Sequence, residues 1–189
     1  TPLYSRGAAL SEEIAGEVEL AWRESAPASR WIAITGTNGK TTVTSLTAHL
    51  LRAAGMDAVA VGNIGDTCLA AVAADPARVF VAETSSYQLE STSRFAPDAA
   101  VLLNITPDHL KWHGSFEAYR DAKFKALANL DQAPGAVAVL DATDDEVRAK
   151  IRALKAQPAC ERGFSYIPVG TKAGYAGDMR AACGADNAA

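Results

Sequence analysis

The stretch that most constrains the fold is WIAITGTNGKTTVTSLTAHLL, which runs from Trp31 to Leu51. An apolar run ends at a glycine, two polar residues follow, and a second glycine and a lysine lead into apolar residues at helical spacing. A glycine-bearing turn between a strand and a helix directs backbone N–H groups towards an anion at the start of the helix. The segment therefore predicts a strand, a phosphate-binding loop and a helix, in that order.

Lys40 adds a positive charge to this turn, and the hydroxyl of Thr41 is suited to bind Mg²⁺. The usual phosphate-binding loop has four residues between its glycines, whereas this loop has two. A turn that did no more than start a helix would leave a lysine followed by two threonines unexplained. The residues predicted to form the phosphate site are Gly36, Thr37, Asn38, Gly39, Lys40, Thr41 and Thr42.

Short β-branched runs alternate with longer helical patterns and are predicted to be strands. They are Trp31–Thr35, Ala58–Val61, Val79–Ala82, Ala100–Ile105 and Ala136–Leu140. Runs such as VFVA and AVLLN are apolar on both faces, which is typical of parallel strands that helices cover on each side. The sequence thus predicts an α/β fold, in which a mostly parallel sheet contains a phosphate-binding loop and carries helices on both faces.

Polar motifs follow the predicted strands where each strand ends, which is where such sheets bind ligands. Glu83 ends an apolar strand, where a buried carboxylate needs a cation or hydrogen-bond donors. Its position beside the first strand end favours a Mg²⁺ ligand opposite Thr41 over a solvent-exposed acid. Asn63 could be a turn residue or a substrate contact. Ser85 and Ser86 could offer hydroxyls to a ligand, or Ser86 could cap a helix.

His109 follows the fourth predicted strand, and Asp108 beside it could orient its ring. A lone histidine in such a position is more often a hydrogen-bonded loop residue than a ligand. His113 has no comparable context, and His49, in the helix after the phosphate-binding loop, is predicted to be structural. The pattern alone leaves both roles open for His109.

Lys123 lies four residues from both Tyr119 and Leu127, so it shares the apolar face of its predicted helix, whereas Lys125 points roughly the opposite way. An ammonium group on that face needs a partner. It could extend to the rim of the apolar surface, or it could serve the phosphate site. There it could act as a cation or, after carbamoylation by CO₂, as a metal-binding carboxylate.

The composition excludes several classes of protein. The chain has 189 residues, of which 49% are apolar, and its formal net charge of -4 provides no basic surface for nucleic acid. Its three cysteines lie far apart without a C-x-x-C pair, which is typical of a reducing compartment; they are Cys68, Cys160 and Cys183. No apolar run approaches the roughly 20 residues of a membrane span. We therefore expect a soluble, cytoplasmic monomer.

The motifs that carry chemistry occupy the middle of the chain. The segments before Ala26 and after Ala142 contain none of them, and their mixed patterns predict a leading segment and a covering layer. The chain begins at Thr1 rather than at a methionine, and its Gly/Ala-rich end from Gly170 is weakly patterned. We expect it to be a piece of a longer polypeptide.

Taken in this order, GTNGKTT, GN, ETSSYQLE, NITPDHLKWHG and YRDAK resemble the Mur ligase family of peptidoglycan synthesis. The resemblance extends from about Ala15 to about Leu140. The S-S-[FY]-Q-L stretch is most similar to the members that add D-glutamate, and IAGEVELAW resembles the linker into their central domain. The resemblance implies an ATP-dependent carboxylate-amine ligase with UDP-N-acetylmuramoyl-L-alanine and D-glutamate as substrates. It would act through an acyl phosphate.

The resemblance also implies roles for single residues. The loop from Gly36 to Thr42 would hold the ATP phosphates, with Lys40 on the β and γ oxygens. Thr41 and Glu83 would bind a first Mg²⁺ ion, and His109 with a carbamoylated Lys123 would bind a second. The residues implied in catalysis are Lys40, Glu83, His109 and Lys123. The implied substrate contacts are Asn63, Ser85 and His109.

In this family a UDP-binding domain precedes the central domain, and a domain that supplies the D-glutamate pocket follows it. The chain does not contain the later H-N-x-x-N segment that holds adenine in the family. We interpret residues 1–25 as a linker from an N-terminal UDP-binding domain, and residues 26–189 as a central ATP-binding domain cut before its adenine-binding segment. On this interpretation the C-terminal domain lies outside the given sequence. Lys111 and Trp112 depart from the acid and arginine that the family often has after its D-H pair.

Three other interpretations compete. Folylpolyglutamate synthetase has a related loop and also adds glutamate, but S-S-Y-Q-L and D-H-L-x-x-H-G favour the Mur ligases. A GTPase-type switch would need a base-reading [NT]-K-x-D motif after a strand, and TKAG at residues 171–174 lacks the acid. A purely structural domain would leave four sets of strand-end motifs without a role.

Overall fold

The computed structural model describes residues 15–170. The leading residues 1–14, the weakly patterned end after Gly170 and the TKAG motif at residues 171–174 lie outside the described residues. Among the helices of the described part, none is both long and apolar enough to cross a bilayer.

The core of the fold is one parallel sheet of six strands. In chain order the strands are β1 (Arg30–Thr35), β2 (Ala58–Gly62), β3 (Val79–Glu83), β4 (Ala99–Leu102), β5 (Val137–Asp141) and β6 (Ser165–Val169). Their order across the sheet is β2-β3-β1-β4-β5-β6. The five predicted strands are confirmed, with ends that differ by at most three residues.

The sixth strand is a correction. The pattern after Ala142 predicts only a covering layer, and that prediction is wrong for Ser165–Val169, which pairs with β5. The strand escapes detection because it is only five residues long and contains Pro168. Proline cannot donate to a ladder and is tolerated at a sheet edge, and β6 is an edge strand.

Residues 15–170 contain eight helices, of which the first precedes β1 and the other seven lie between strands. They are α1 (Glu17–Glu24), α2 (Lys40–Ala53), α3 (Cys68–Ala74), α4 (Ser86–Glu90), α5 (Leu110–His113), α6 (Phe116–Phe124), α7 (Asp145–Ala156) and α8 (Ala159–Arg162). Two 3₁₀ turns, Lys125–Leu127 and Leu130–Gln132, lie between α6 and β5.

The direction of each connection decides which face of the sheet its helix covers. Connections between parallel strands are right-handed, and only the one from β1 to β2 runs in the opposite direction to the others across the sheet. Its helix, α2, therefore packs on one face with Ile34 and Val81. Helices α1 and α3 pack on the other face with Trp31 and Phe80. Helices α4, α6 and α7 continue that second layer over Leu140.

A buried carboxylate fixes α1 to the rest of the domain. Glu19 is 0% exposed and forms an ion pair with Arg23. It accepts hydrogen bonds from the backbone N–H and the hydroxyl of Ser93 and from the backbone N–H of Arg94 at 3.1 Å. A buried charge is stable only when such partners satisfy it, so Glu19 holds the leading helix against the loop after α4.

Glu19→Gln should lower the free energy of unfolding by about 1 to 3 kcal/mol, because an amide nitrogen replaces an oxygen that accepts these bonds. Glu24→Gln, at the exposed end of the same helix, is the matched control and should change it by less than about 0.5 kcal/mol. Denaturant unfolding measures both. Two variants of equal stability would contradict the role of Glu19.

The contribution of Glu19 should also depend on pH. Burial raises its pKa, but the hydrogen bonds from Ser93, Arg94 and Arg23 outweigh burial and lower the pKa below its ordinary value of 4.5. A carboxyl group with a lowered pKa stabilises the fold above its unfolded pKa and loses this effect as pH falls through the folded value. The stability difference between wild type and Glu19→Gln should be full at neutral pH and shrink below about pH 4.5.

Candidate nucleotide and metal site

The predicted phosphate-binding loop connects the end of β1 to the start of α2 at the carboxyl edge of the sheet. Gly39 lies at the N-terminus of α2 with φ 82° and ψ -6°, a left-handed conformation that favours glycine. The first turn of a helix leaves its N–H groups without intrahelical partners, and α2 begins at Lys40. The backbone therefore has the form that binds an anion at a helix N-terminus.

Asn104 holds this loop from the neighbouring strand end. Its side-chain oxygen accepts a hydrogen bond from the backbone N–H of Asn38 at 2.8 Å, and its side-chain nitrogen donates to the Asn38 carbonyl at 3.1 Å. Its own carbonyl accepts from the Thr37 N–H at 2.8 Å. Sequence analysis did not select Asn104, although it stands in the NITPDH motif. The available signal was its place in a polar motif at the end of a predicted strand.

Tyr119 of α6 holds the loop from the other side. Its hydroxyl lies 2.9 Å from the Thr37 hydroxyl, which also accepts a hydrogen bond from the Thr106 N–H at 2.9 Å. The Lys40 ammonium group donates to the Thr37 carbonyl at 3.0 Å. These contacts fix the shape of the loop and keep the Lys40 charge directly over it.

Glu83 joins the loop to the end of β3. It is 1% exposed, and its carboxylate accepts hydrogen bonds from the Thr41 hydroxyl at 2.8 Å and from the Asn63 side-chain nitrogen at 2.9 Å. Gly62, at the end of β2, allows the backbone of Glu83 to lie close, because a Cβ atom at Gly62 would lie 2.5 Å from the Glu83 carbonyl oxygen. The structure thus brings Thr41, Glu83 and Asn63 together.

Lys123 points inward, as its helical spacing predicts. It is 2% exposed, its ammonium group donates to the Gly36 carbonyl at 2.7 Å, and it lies 4.9 Å from the centre of the Tyr119 ring. Burial, assisted by the charge of Lys40 and opposed by that of Asp108, lowers the pKa of Lys123 to about 7. A large share of Lys123 is therefore uncharged near neutral pH.

Lys125 points away from this site, also as predicted. It binds Glu90 of α4 at 3.1 Å.

His109 stands at the start of α5 with φ 52°, a left-handed backbone conformation that is uncommon outside glycine. Its ring nitrogen Nε2 lies 3.5 Å from a carboxylate oxygen of Asp108, as the sequence suggests, and its ring centre lies 6.2 Å from that of Tyr119. His109 and Lys123 therefore both lie against the Tyr119 ring. His49 is exposed on α2.

The cap of the helix after β3 is not at the serine that the sequence predicts. Ser85, and not Ser86, caps α4, so the prediction of a cap at Ser86 is wrong. The Ser85 hydroxyl accepts from the Gln88 N–H at 3.2 Å, and the Gln88 side chain accepts from the Ser85 N–H at 2.9 Å. This reciprocal capping box requires a glutamine three residues after the cap, which fits Ser85 alone. Ser86 is buried and lies 3.0 Å from His113 Nε2.

The donors in this site suit a hard cation that keeps other oxygen ligands. Within residues 15–170, no cluster of three or more histidine, cysteine or acidic side chains could hold a metal alone. Mg²⁺ commonly takes one or two protein oxygens together with phosphate oxygens and water. The Thr41 hydroxyl and the Glu83 carboxylate, next to an anion-binding loop, fit this pattern.

The lowered pKa of Lys123 predicts a pH-dependent stability. Between about pH 7 and pH 10.5 the unfolded chain holds a proton on Lys123 that the folded chain does not. Stability rises with pH wherever the unfolded state binds more protons. The wild type should therefore gain free energy of unfolding relative to Lys123→Met across this window, as measured by urea denaturation. Parallel curves for the two proteins would show that Lys123 is not buried as described.

Comparison with known proteins agrees with the resemblance that the sequence motifs indicate. A family model described as the Mur ligase middle domain matches residues 34–171. The UDP-N-acetylmuramoylalanine--D-glutamate ligase of Bordetella parapertussis is 45% identical over 156 residues, and the match covers 76% of this chain and 30% of that protein. The chain thus spans about 30% of the length of this curated relative.

Solved structures show the same fold. A UDP-N-acetylmuramoyl-L-alanyl-D-glutamate--2,6-diaminopimelate ligase matches 83% of this chain and 37% of its own, with 26% identity and a TM-score of 0.57. The MurF ligase of Thermotoga maritima, solved in complex with ADP, matches 82% of this chain and 36% of its own, with 20% identity and a TM-score of 0.58. The family model covers well over half of the residues, and the solved ligases share the fold of this chain. This chain therefore belongs to the Mur ligase middle domain family.

Proposed function

We propose that this chain is the central, ATP-binding part of a larger ligase that joins D-glutamate to UDP-N-acetylmuramoyl-L-alanine in peptidoglycan precursor synthesis. The observation that carries the proposal is the contact of Thr41 with the buried Glu83 beside an anion-binding loop. The relative from Bordetella parapertussis, which is named for this activity, supports the choice of substrates. In this proposal residues 1–25 are a linker from a UDP-binding domain, and residues 26–189 are the central domain.

The loop from Gly36 to Thr42 would bind the phosphates of ATP. Its support is the left-handed Gly39 at the start of α2 and the position of Lys40 over the loop. The MurF ligase of Thermotoga maritima has the same fold and was solved with ADP. Lys40 would move from the Thr37 carbonyl to the β and γ oxygens, exchanging a neutral acceptor for a charged one.

Thr41 and Glu83 would hold a first Mg²⁺ ion, and His109 with a carbamoylated Lys123 would hold a second. Bound Mg²⁺ neutralises phosphate charge and so lets an anionic oxygen approach. An amine must be uncharged to react with CO₂, and the pKa of Lys123, about 7, leaves much of it uncharged near neutral pH. A carbamate would also give Lys123 the negative charge of a metal ligand, at a site beside Lys40.

The substrate side of the proposal rests on Asn63, Ser85 and His109. The Asn63 side chain donates a hydrogen bond to the Glu83 carboxylate. A substrate bound to Asn63 would therefore lie beside the first metal site. The Ser85 hydroxyl is part of the capping box of α4, where it accepts a hydrogen bond from the Gln88 N–H. A substrate that contacted this hydroxyl would share it with that N–H group. His109 is 44% exposed and can reach a ligand above the carboxyl edge of the sheet.

In the proposed reaction a carboxylate oxygen of the L-alanyl group attacks the γ-phosphorus of ATP, and ADP leaves. The amine of D-glutamate then attacks the acyl phosphate carbon, loses a proton and displaces phosphate. Two carboxylate substrates and a triphosphate repel one another, so the site must first neutralise them. Lys40 and the N–H groups at the start of α2 supply part of that charge. We further propose a cytoplasmic monomer.

The proposal is tested by phosphate release from the complete polypeptide that carries this chain. Mg-ATP, UDP-N-acetylmuramoyl-L-alanine and single amino acids are supplied in turn. Release should require D-glutamate. Release with a different amino acid would reject the proposed specificity, release with a folate substrate would favour folylpolyglutamate synthetase, and release with GTP alone would favour a nucleotide switch.

Matched variants make this test specific to the site. Thr41→Ala should reduce the rate by about 10- to 100-fold, because a proposed metal ligand is lost. Ser45→Ala, exposed one turn later on α2, should leave the rate unchanged. The 189-residue chain alone should release no ligation product, and product formed by it would show that the missing domains are dispensable.

The carbamate is tested separately. Lys123→Ala should lose activity, and a short carboxylate such as acetate should restore part of it, because it can occupy the space that the lysine leaves and supply the missing negative charge. Acetate should not stimulate the wild type or Glu83→Gln. A loss that no carboxylate restores would favour a role for Lys123 as a cation.

A further inference from the structure

The backbone at His109 has a conformation that needs support from its surroundings. Within residues 15–170, His109 is the only non-glycine residue whose φ is positive, at 52°. Such a conformation persists only where neighbouring contacts fix it, and it is concentrated at functional sites. His109 leads directly into the one-turn helix α5, so the position of that helix sets the position of His109.

Helix α5 has few contacts that could hold it in place. One helical turn is unstable in isolation, because forming it orders several residues for a single hydrogen bond. The first three residues of α5 are exposed, and only His113 is partly buried. Trp112 meets the edge of Tyr87, with ring centres 4.8 Å apart, but it remains 40% exposed. The attachment of α5 to the domain therefore depends mainly on His113.

His113 reaches into the layer of helices beneath α5. Its ring nitrogen Nε2 lies 3.0 Å from the hydroxyl of Ser86, which is 1% exposed at the start of α4. Its ring stacks on Tyr87 with centres 5.7 Å apart and meets Tyr119 edge-on at 5.4 Å. The same two tyrosine rings lie 4.9 Å and 6.2 Å from the ring of His109. Both histidines are thus fixed against one pair of rings.

Two backbone hydrogen bonds join this anchor to His109. The His109 carbonyl accepts from the N–H of Trp112 at 2.9 Å and from the N–H of His113 at 3.2 Å. Because these bonds close the single turn of α5, a shift of His113 is transmitted to the backbone of His109.

We propose that His113 is a positioning residue for His109. Its hydrogen bond with Ser86 holds α5, and α5 in turn keeps the His109 side chain above the carboxyl edge of the sheet. The inference rests on the proposed function in giving His109 a role in the reaction. The placement of His109 does not depend on which amino acid the enzyme adds.

Positioning predicts a specific kinetic pattern in the complete polypeptide. His113→Phe keeps a ring between the two tyrosines but cannot bond to Ser86. It should lower kcat for phosphate release by about 10- to 100-fold, because a misplacement of about 1 Å has an effect of this size. The KM for ATP should change by less than about twofold, because Asn104 and Tyr119 hold the phosphate-binding loop. An unchanged kcat, or a change in KM alone, would overturn the proposal.

The decisive kinetic comparison uses a His109→Ala background. If His113 acts through His109, adding His113→Phe to His109→Ala should lower the rate no further, because the group that it positions is already gone. Losses that multiply in the double variant would show that His113 acts independently of His109, and would reject the proposal.

Three more variants separate the hydrogen bond from the size of the side chain. Ser86→Ala removes the other partner and should reproduce the loss of kcat seen for His113→Phe. His113→Gln retains a group that can bond to Ser86 and should keep most of the wild-type kcat. His49→Gln, on the exposed surface of α2, is the histidine control and should leave the rate unchanged. Wild-type kcat in Ser86→Ala would contradict a role for this hydrogen bond.

Hydrogen exchange tests the placement without catalysis. Mass spectrometry of the complete polypeptide follows the N–H groups of Trp112, His113 and Gly114, which close the turn of α5. His113→Phe should speed their exchange by at least about tenfold, because the turn opens more often, and His113→Gln should not. Faster exchange with no kinetic effect of His109→Ala would support the placement and reject the proposed role of His109 in the reaction. Unchanged exchange in His113→Phe would overturn the placement itself.

Discussion

The handedness of parallel connections determines where this molecule can bind a ligand. The chain leaves β1 in one direction across the sheet, to β2, and makes every later connection in the other. The strands beside β1 are therefore β3 and β4, and the loops after these two strands diverge from the loop after β1. Glu83, Asn104 and the loop that begins at Gly36 meet in this gap. The helix that starts there is also the one that packs on the opposite face from the other helices of the described residues.

Three buried ionisable side chains, Glu19, Glu83 and Lys123, differ in how many hydrogen-bond and charge partners stabilise them. Glu19 has backbone N–H donors, a hydroxyl and an arginine, and it serves to hold a helix. Glu83 has one hydroxyl and one amide, both of which a cation could replace or share. Lys123 has one carbonyl and one aromatic ring, and burial lowers its pKa to about 7. Incomplete compensation of a buried charge is typical of functional sites.

The local parts of this site could be predicted from the sequence, and its long-range supports could not. The loop is encoded in seven consecutive residues, and the inward position of Lys123 follows from a spacing of four. Asn104 and Tyr119 contact the loop from 66 and 82 residues away in sequence, and no local pattern specifies which distant residue will be there. The same limit applies to β6, since a five-residue edge strand with Pro168 differs little from a loop. The cap at Ser85 was predictable, because Gln88 three residues later distinguishes it from Ser86.

The contacts that hold the loop also have a consequence for synthesis of the protein on the ribosome. The loop is complete once residue 42 has emerged, but the side chains that fix its shape, Asn104 and Tyr119, are translated much later. For most of that interval β4 is missing from the sheet, and the nascent chain carries the residues predicted to bind phosphate without the framework that orders them. The loop can therefore take its final shape only after residue 119 has been made, when the nascent chain can already form β1, β2, β3 and β4.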